Sequence, residues 1–404
     1  MPRVMLFLLL AGSLPGYCGA QMLPIFGPKQ YTRATGKPQT LTDTFLNCEK
    51  AAQYQMVVTN GNPNGTNRVS SATILLNGTE VVGPSDLNQN VAEVMKPVAV
   101  VGTNTLTTTL KSAPGSLLTI DVQCTSNCLS VQISSPTSGA TLMQATANVS
   151  GTVTSSADEV GVVVNGLGAF VQRGEFATSG VPLVLGTNVL TATATNACLN
   201  QATATIQVNA TALNPPLITL VATPSSGLAP LNVTFSATVS SANPITLYQW
   251  DFNGNGVIDV SGASLSQVSN TYSQPGLFIA TVTATDSLGN QYSQQTPVLV
   301  LSPSALTTLM QTRWSSLVSA LQSQNLTSAS SLFDPSVAQK FQTVFTNLGS
   351  QLPQIASSLG NVGVFSVSDG VTELITVRSQ QGSEFVYFIY AGQDQNGLWK
   401  FLAM

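Results

Sequence analysis

Around two repeated segments in the first half of the chain, apolar positions recur at every second residue. Ala145, Ala147, Val149 and Val153 lie on one side of such a run, with Thr, Asn and Ser between them. A period of two places alternate side chains on opposite faces of a half-buried strand, so the pattern predicts a succession of strands. After Pro303 the period lengthens: Leu306, Leu309, Met310, Trp314, Leu317, Val318 and Leu321 recur at three and four. That spacing predicts an amphipathic helix, with Ser302 as its N-cap and Pro303 in its first turn. A second helix is expected from Asp334 and Pro335, turning Phe341, Val344, Phe345 and Leu348 inward, and a shorter one over about 353–359. Strands over 362–367, 371–378, 384–391 and 398–402 then close the chain, the last two joined by an Asn-Gly turn at Asn396 and Gly397.

Two segments of the strand-rich part repeat one another. "LLNG", ending at Gly78, precedes "VVGTNTLTTTL" from Val100, and "VVNG", ending at Gly166, precedes "VLGTNVLTATA" from Val184. The offset of some 84 to 88 residues is the length of one immunoglobulin-sized sandwich. Asn-Gly supplies positive φ at a tight hairpin, so these marks read as scaffold rather than as a binding motif. They set a first module over 28–124 and a second over 128–209, and both resemble the Ig-like sandwiches of secreted bacterial proteins. Past the Pro-Pro pair at 215–216, a third unit over 217–301 carries "ATPSSGLAPLNVTFSATVSS", "YQWDFNGNGVID" and "NTYSQPGLFIATVTATDSLGNQYS". These residues resemble a polycystic kidney disease (PKD) domain, and the resemblance implies that Trp250 is the anchor between two sheets. The final unit, 303–404, resembles the cone-shaped nuclear-transport-factor-like or cystatin-like fold in its order of helices and strands. The fold class is therefore mainly β: tandem Ig-like and PKD β-sandwiches followed by a small α+β domain, with helices packed on a curved antiparallel sheet.

The first 20 residues hold one cation, Arg3, an apolar run from Val4 to about Leu14, and the small residues Gly19 and Ala20. This is the pattern of a signal peptide cleaved after Ala20, which implies a secreted, cell-surface or periplasmic protein. A lipid-modified Cys18 is the alternative reading. No later stretch has the 18 or so consecutive apolar residues of a transmembrane helix. Cleavage leaves Cys48, Cys124, Cys128 and Cys198, an even set for an oxidising compartment. Four cysteines allow three connectivities; pairing within modules, Cys48 with Cys124 and Cys128 with Cys198, closes loops of 76 and 70 residues, each worth up to about 4 kcal/mol, and is favoured, whereas Cys124 with Cys128 would close almost nothing.

Only 7% of residues are charged, the net charge is -4, and the chain has no histidine. The usual neutral-pH proton shuttle is absent, and no basic stripe exists to neutralise a nucleic-acid backbone. One stretch suggests chemistry. Counting from Asp251, calcium-loop positions 1, 3, 5 and 6 are Asp251, Asn253, Asn255 and Gly256, and position 9 is Asp259. Position 12 is Gly262, where an EF-hand needs a bidentate Glu, so the stretch is not an EF-hand. It is either a small weak calcium site, with affinity around 10⁻⁴ to 10⁻³ M, or a glycine-rich turn. In the final unit, Asp369, Glu373, Glu384 and Asp394 read as solvated carboxylates at turns and strand ends, while Tyr387 and Tyr390 could line a cone pocket. No cofactor is expected beyond that possible calcium. The composition points to a non-enzymatic protein that adheres to or binds an extracellular protein or polysaccharide. The alternatives are an accessory or small-ligand protein using the cone domain, and a component of an extracellular assembly.

Overall fold

The computed structural model describes residues 21–38, 40–47, 53–126, 129–157, 159–214, 217–368, 370–380 and 383–404. The expected leader, together with Cys48, Cys128 and Asp369, lies outside the described residues, and so does the cysteine pairing that depends on them. The chain divides into two compact units. One holds 1–42, 51–99 and 107–128; the other holds 43–50, 100–106 and 129–404.

In the first unit, a four-stranded sheet runs in the order Gln21–Thr32, Leu117–Ser126, Tyr54–Asn60 and Glu93–Pro97. Its inward positions, Met56, Val58, Leu118, Ile120 and Val122, are buried. A second sheet contains the hairpin Ala72–Leu76 and Thr79–Val82. The predicted turn is there, with Asn77 at φ 53° and Gly78 at φ 82°. Its repeat, Asn165 and Gly166, has φ 47° and 89°. Positive φ at both central residues matches the right-handed twist of the flanking strands, which is why these two residue types recur. The repeated Gly-Thr-Asn has a structural role too: the Asn188 side chain accepts from the Val184 amide and donates to the Val184 and Gly186 carbonyls, tying the loop before the next strand.

The second unit begins with an eight-stranded sheet, folded over a core of Val162, Val164, Leu190, Ala192 and Ala194. Thr146–Thr154 supplies Ala147, Val149 and Val153 to that core, as the alternation requires. Next comes a sandwich of a three-stranded and a five-stranded sheet, whose longest strands, Gly276–Asp286 and Gln291–Leu301, form one hairpin. Trp250, Phe235, Val233, Val282 and Val298 fill its centre. The last part has four α-helices and a four-stranded antiparallel sheet. Helix α1 is Pro303–Gln322, capped by Ser302, whose side chain accepts from the Ala305 amide. Helix α2, Leu326–Ser330, was not expected; its five residues are too few to show a period, and Asn325 caps it. Helix α3, Pro335–Leu348, is capped by Asp334, and α4 is Leu352–Ser357. The sheet runs in the order Val362–Ser368, Val371–Gln380, Ser383–Gln393, Trp399–Ala403. Helices and one sheet face enclose Met310, Trp314, Leu317, Phe333, Leu374, Ile389 and Phe401 in a filled core. Among the described residues, no helix is long and apolar enough to cross a membrane.

Candidate functional site

The strand Ile245–Asp251 delivers Trp250 inward and ends at the candidate loop. Trp250 is fully buried, and its indole N–H donates to the Leu265 carbonyl at 2.9 Å. Just beyond it, Asp251 is 5% exposed and faces the loop's own backbone. Its Oδ1 accepts from the amides of Asn253 (3.1 Å) and Gly254 (2.8 Å), and its Oδ2 from that of Gly256 (2.7 Å). Asn253 and Asn255 each accept from the amide two residues on, at Asn255 and Val257. The far end closes through Asp259, whose Oδ2 accepts from the Phe252 amide at 2.7 Å while its own amide donates to the Trp250 carbonyl. Gly254 and Gly256 take φ of 75° and 82°. The structure thus places all four predicted residues in one loop, which their side chains close by hydrogen bonds.

The donor set fits a hard cation only weakly. Among the described residues no group of three or more His, Cys, Asp or Glu is placed to hold a metal; the two carboxylates here need amide oxygens to complete a shell. Each oxygen keeps a lone pair beyond the amide it accepts, so a calcium ion at this loop would be held by Asp251, Asn253, Asn255 and Asp259.

Beside the loop, an open groove of about 440 Å³ is lined by Phe252, Asn253, Asp259, Asn270, Gln274 and Phe278, among others. Its floor is anchored by Tyr272, which is buried and donates its hydroxyl to the Phe252 carbonyl at 2.7 Å. Burial holds that phenol neutral by pushing its pKa up, and the carboxylates of Asp259 and Asp251 add to the effect.

Several other carboxylates serve the scaffold. Asp286, at the end of the long hairpin strand, receives six donors: the amides of Leu288 and Asn290, the side-chain amides of Asn243 and Asn290, and the hydroxyls of Tyr292 and Ser241. The Asn290 side chain leads in holding this carboxyl well below the usual range. A depressed carboxyl contributes stability above its unfolded value, about 3.9, and loses it as pH falls below that. We expect Asp286→Asn to lower the melting temperature at neutral pH and to flatten the decline in stability between about pH 4 and pH 2. Thermal unfolding across that range checks both; an unchanged pH profile would show that the corner does not titrate with folding.

Glu373 accepts from the hydroxyls of Tyr390 and Ser366, and Asp394 caps the Asn396-Gly397 turn. Tyr390 pairs across the sheet with Glu373, while the neighbouring pair Leu374 and Ile389 is buried against the helices. Tyr390 therefore stands on the face away from the helices and lines no interior pocket. Tyr387 does lie on the helix side, at an exposed end of the sheet.

Sequence reading missed one constellation. Glu159 is buried; one carboxyl oxygen accepts from the Trp399 amide at 2.6 Å and the other pairs with the Arg313 guanidinium. Glu159 borders a cleft of about 260 Å³ between the second sandwich, the end of the third and helix α1, lined also by Leu301, Leu306, Leu309 and Arg173. Glu159 and Arg313 are far apart in the chain and lie in different modules, so no spacing rule could have joined them.

Comparison with curated proteins finds no match. Among solved structures, the chain is similar to the fibronectin(III)-like modules of Clostridium thermocellum CbhA, at 17% identity over 43% of this chain and 94% of that one, with a TM-score of 0.18. It is also similar to the PKD1 domain from the Vibrio cholerae metalloprotease PrtV, at 28% identity over 21% of this chain and 95% of that one, with a TM-score of 0.17. Residues 217–300 match the family model of the PKD domain. The third sandwich is thus a PKD domain, set in a multidomain, mainly β chain.

Proposed function

We propose that this is a non-enzymatic extracellular binding protein that uses the groove beside the Asp251–Asp259 loop to hold a neutral polysaccharide. The observation behind the reading is the use to which the carboxylates are put. Asp251, Asp259, Asp286 and Asp394 accept backbone amides, Glu373 accepts two hydroxyls, and Glu159 is paired and buried. General acid–base work needs a group free to exchange a proton with substrate near neutral pH, and the chain has no histidine to take that part. The groove instead presents side-chain amides around the half-buried ring of Phe278, over a wall backed by the buried Phe252. Sugars are held by such pairings of amide hydrogen bonds with apolar ring faces; the carboxylate on the groove, Asp259, is engaged by the Phe252 amide, and the lining offers no cation to an anionic partner. In this reading the flanking sandwiches carry the groove away from the cell, and calcium at the loop would stiffen one wall.

A polysaccharide array probed with the chain, followed by calorimetric titration of the positives, tests the reading. Asn270→Ala and Gln274→Ala each remove a groove amide and should weaken binding by roughly three- to tenfold, the worth of one hydrogen bond of ~0.5–1.5 kcal/mol. Calcium at 10 mM should raise the melting temperature modestly, by mass action on a site of roughly millimolar affinity. Chelation should leave the fold intact, because hydrogen bonds already close the loop. Absence of binding to any neutral glycan, or turnover of one, would sink the proposal.

A further inference from the structure

The strand Ser383–Gln393 is covered very unevenly along its length. On one side it pairs with Val371–Gln380 throughout, from Gln380 opposite Ser383 to Val371 opposite Gly392. On the other side Trp399–Ala403 reaches only Tyr390 to Gln393. Among the described residues, no strand pairs with the free side of residues 383–389. Their side chains are equally uncovered: Phe385, Val386, Tyr387 and Phe388 are 45%, 55%, 42% and 50% exposed. Successive strand residues point to opposite faces, so four such residues in a row mean that both faces and the edge are bare together. Soluble proteins blunt such edges with lysine, proline or a bulge. Here the run is Ser-Glu-Phe-Val-Tyr-Phe-Ile, with one charge and no proline, and its pairing with the neighbouring strand is free of register shifts.

We infer that this edge is an isologous interface, on which the same strand of a second copy of the chain docks antiparallel about a two-fold axis at Val386. The residue order supports a second copy over a foreign strand, because the segment is complementary to itself. With Val386 facing Val386 of the other copy, Phe385 of each chain lies opposite Tyr387 of the other, giving two cross-strand aromatic pairs. Glu384, the segment's only charge, then meets Phe388 rather than its own copy, so no like charges are opposed. Ser383 meets Ile389. The arrangement also stops at two copies. Antiparallel pairing uses the free edge of both chains at once, and the last strand of the sheet is already occupied on its outer side, where Phe401 donates to the Leu332 carbonyl and accepts from the Asp334 amide.

The axis position gives a direct test with the full chain. By sedimentation equilibrium the unaltered protein should populate dimers as concentration rises through the micromolar range. Val386→Lys sets two like charges face to face on the axis and should shift the equilibrium toward monomer by at least about tenfold; Val386→Glu should do the same. Mixing the two variants in equal amounts should restore the dimer, because each lysine then faces a glutamate. That recovery distinguishes lost pairing from lost folding, and melting curves taken at concentrations low enough that every protein is monomeric, where so exposed a substitution should change nothing, check folding separately. A chain monomeric at all concentrations, a dimer indifferent to Val386→Lys, or variants that fail to rescue one another would each overturn the inference. So would a monomer that captures an added extended peptide along the same edge, since that assigns the site to a foreign partner.

Discussion

Replacing Trp250 by alanine lowers the stability of the PKD domain by about 3–5 kcal/mol, the range for truncating a buried large aromatic. The loss has three parts on one side chain. The ring is fully buried and contacts Phe235, at 5.8 Å between centroids, and Phe252, at 6.1 Å, so its removal leaves a cavity lined by rings too large to close it. Its N–H satisfies the Leu265 carbonyl, which is left without that donor. And it sits one residue before Asp251, whose carboxylate organises the loop. Trp250→Phe keeps most of the volume and loses the hydrogen bond, and should cost less than half as much. Calorimetric unfolding of the two variants, with Val257→Ala on the exposed rim as a control within about 0.5 kcal/mol, measures the order. Equal losses for alanine and phenylalanine would show that the hydrogen bond, rather than packing, sets the stability of this core.

Much of this architecture can be read from local sequence. The Asn-Gly hairpins at Asn77 and Asn165 announce themselves because positive φ at two successive residues restricts the residue types. The starts of α1 and α3 are legible for a similar reason: Ser302 and Asp334 are caps followed directly by proline. Trp250, Asp251, Asn253, Asn255 and Asp259 lie within ten residues of one another, so the loop they build is visible as a string. Helix α2 is missed because one turn has no period. The groove beside the loop is missed because Asn270, Gln274 and Phe278 come from two later strands and the turn between them, and only folding sets them against Asn253. The bare edge at 383–389 is hidden in a further way. Its sequence reads as an ordinary strand, and what makes it unusual is that the strand after it covers only four of its residues.

The largest effect away from the PKD domain should come from Glu159. Glu159→Ala removes the counter-ion of a largely covered guanidinium, 12% exposed, and is expected to cost up to about 3–5 kcal/mol, since Arg313 then holds a charge with little water and no paired carboxylate. Arg313→Met should be comparably damaging, because it leaves the carboxylate in the same position. The pair itself is worth far less than either loss suggests, as both ions were taken out of water to form it. With Glu159→Met as the matching single variant, Glu159→Met plus Arg313→Met closes a double-mutant cycle, and the double variant should recover most of the stability, a coupling opposite in sign to the single losses. The residual deficit measures the Trp399 amide, which loses its acceptor in the double variant. The same carboxyl predicts a pH signature opposite to that of Asp286. Burial pushes its pKa up, against the pull of Arg313 and the Trp399 amide. A raised carboxyl favours protonation in the folded state, so its contribution grows as pH falls through the raised value and levels off below the ordinary Glu value of about 4.3. The backbone contact beside it leaves little room for compensation: a Cβ on Gly161 would sit 2.0 Å from the Asn396 carbonyl oxygen. If Glu159→Ala unfolds the second sandwich and the C-terminal domain in two separate calorimetric transitions where the unaltered protein shows one, the ion pair is what couples them. A single transition in both proteins, shifted by less than about 1 kcal/mol, would mean that this Glu159 is hydrated in solution and that the coupling lies in the apolar walls of the cleft.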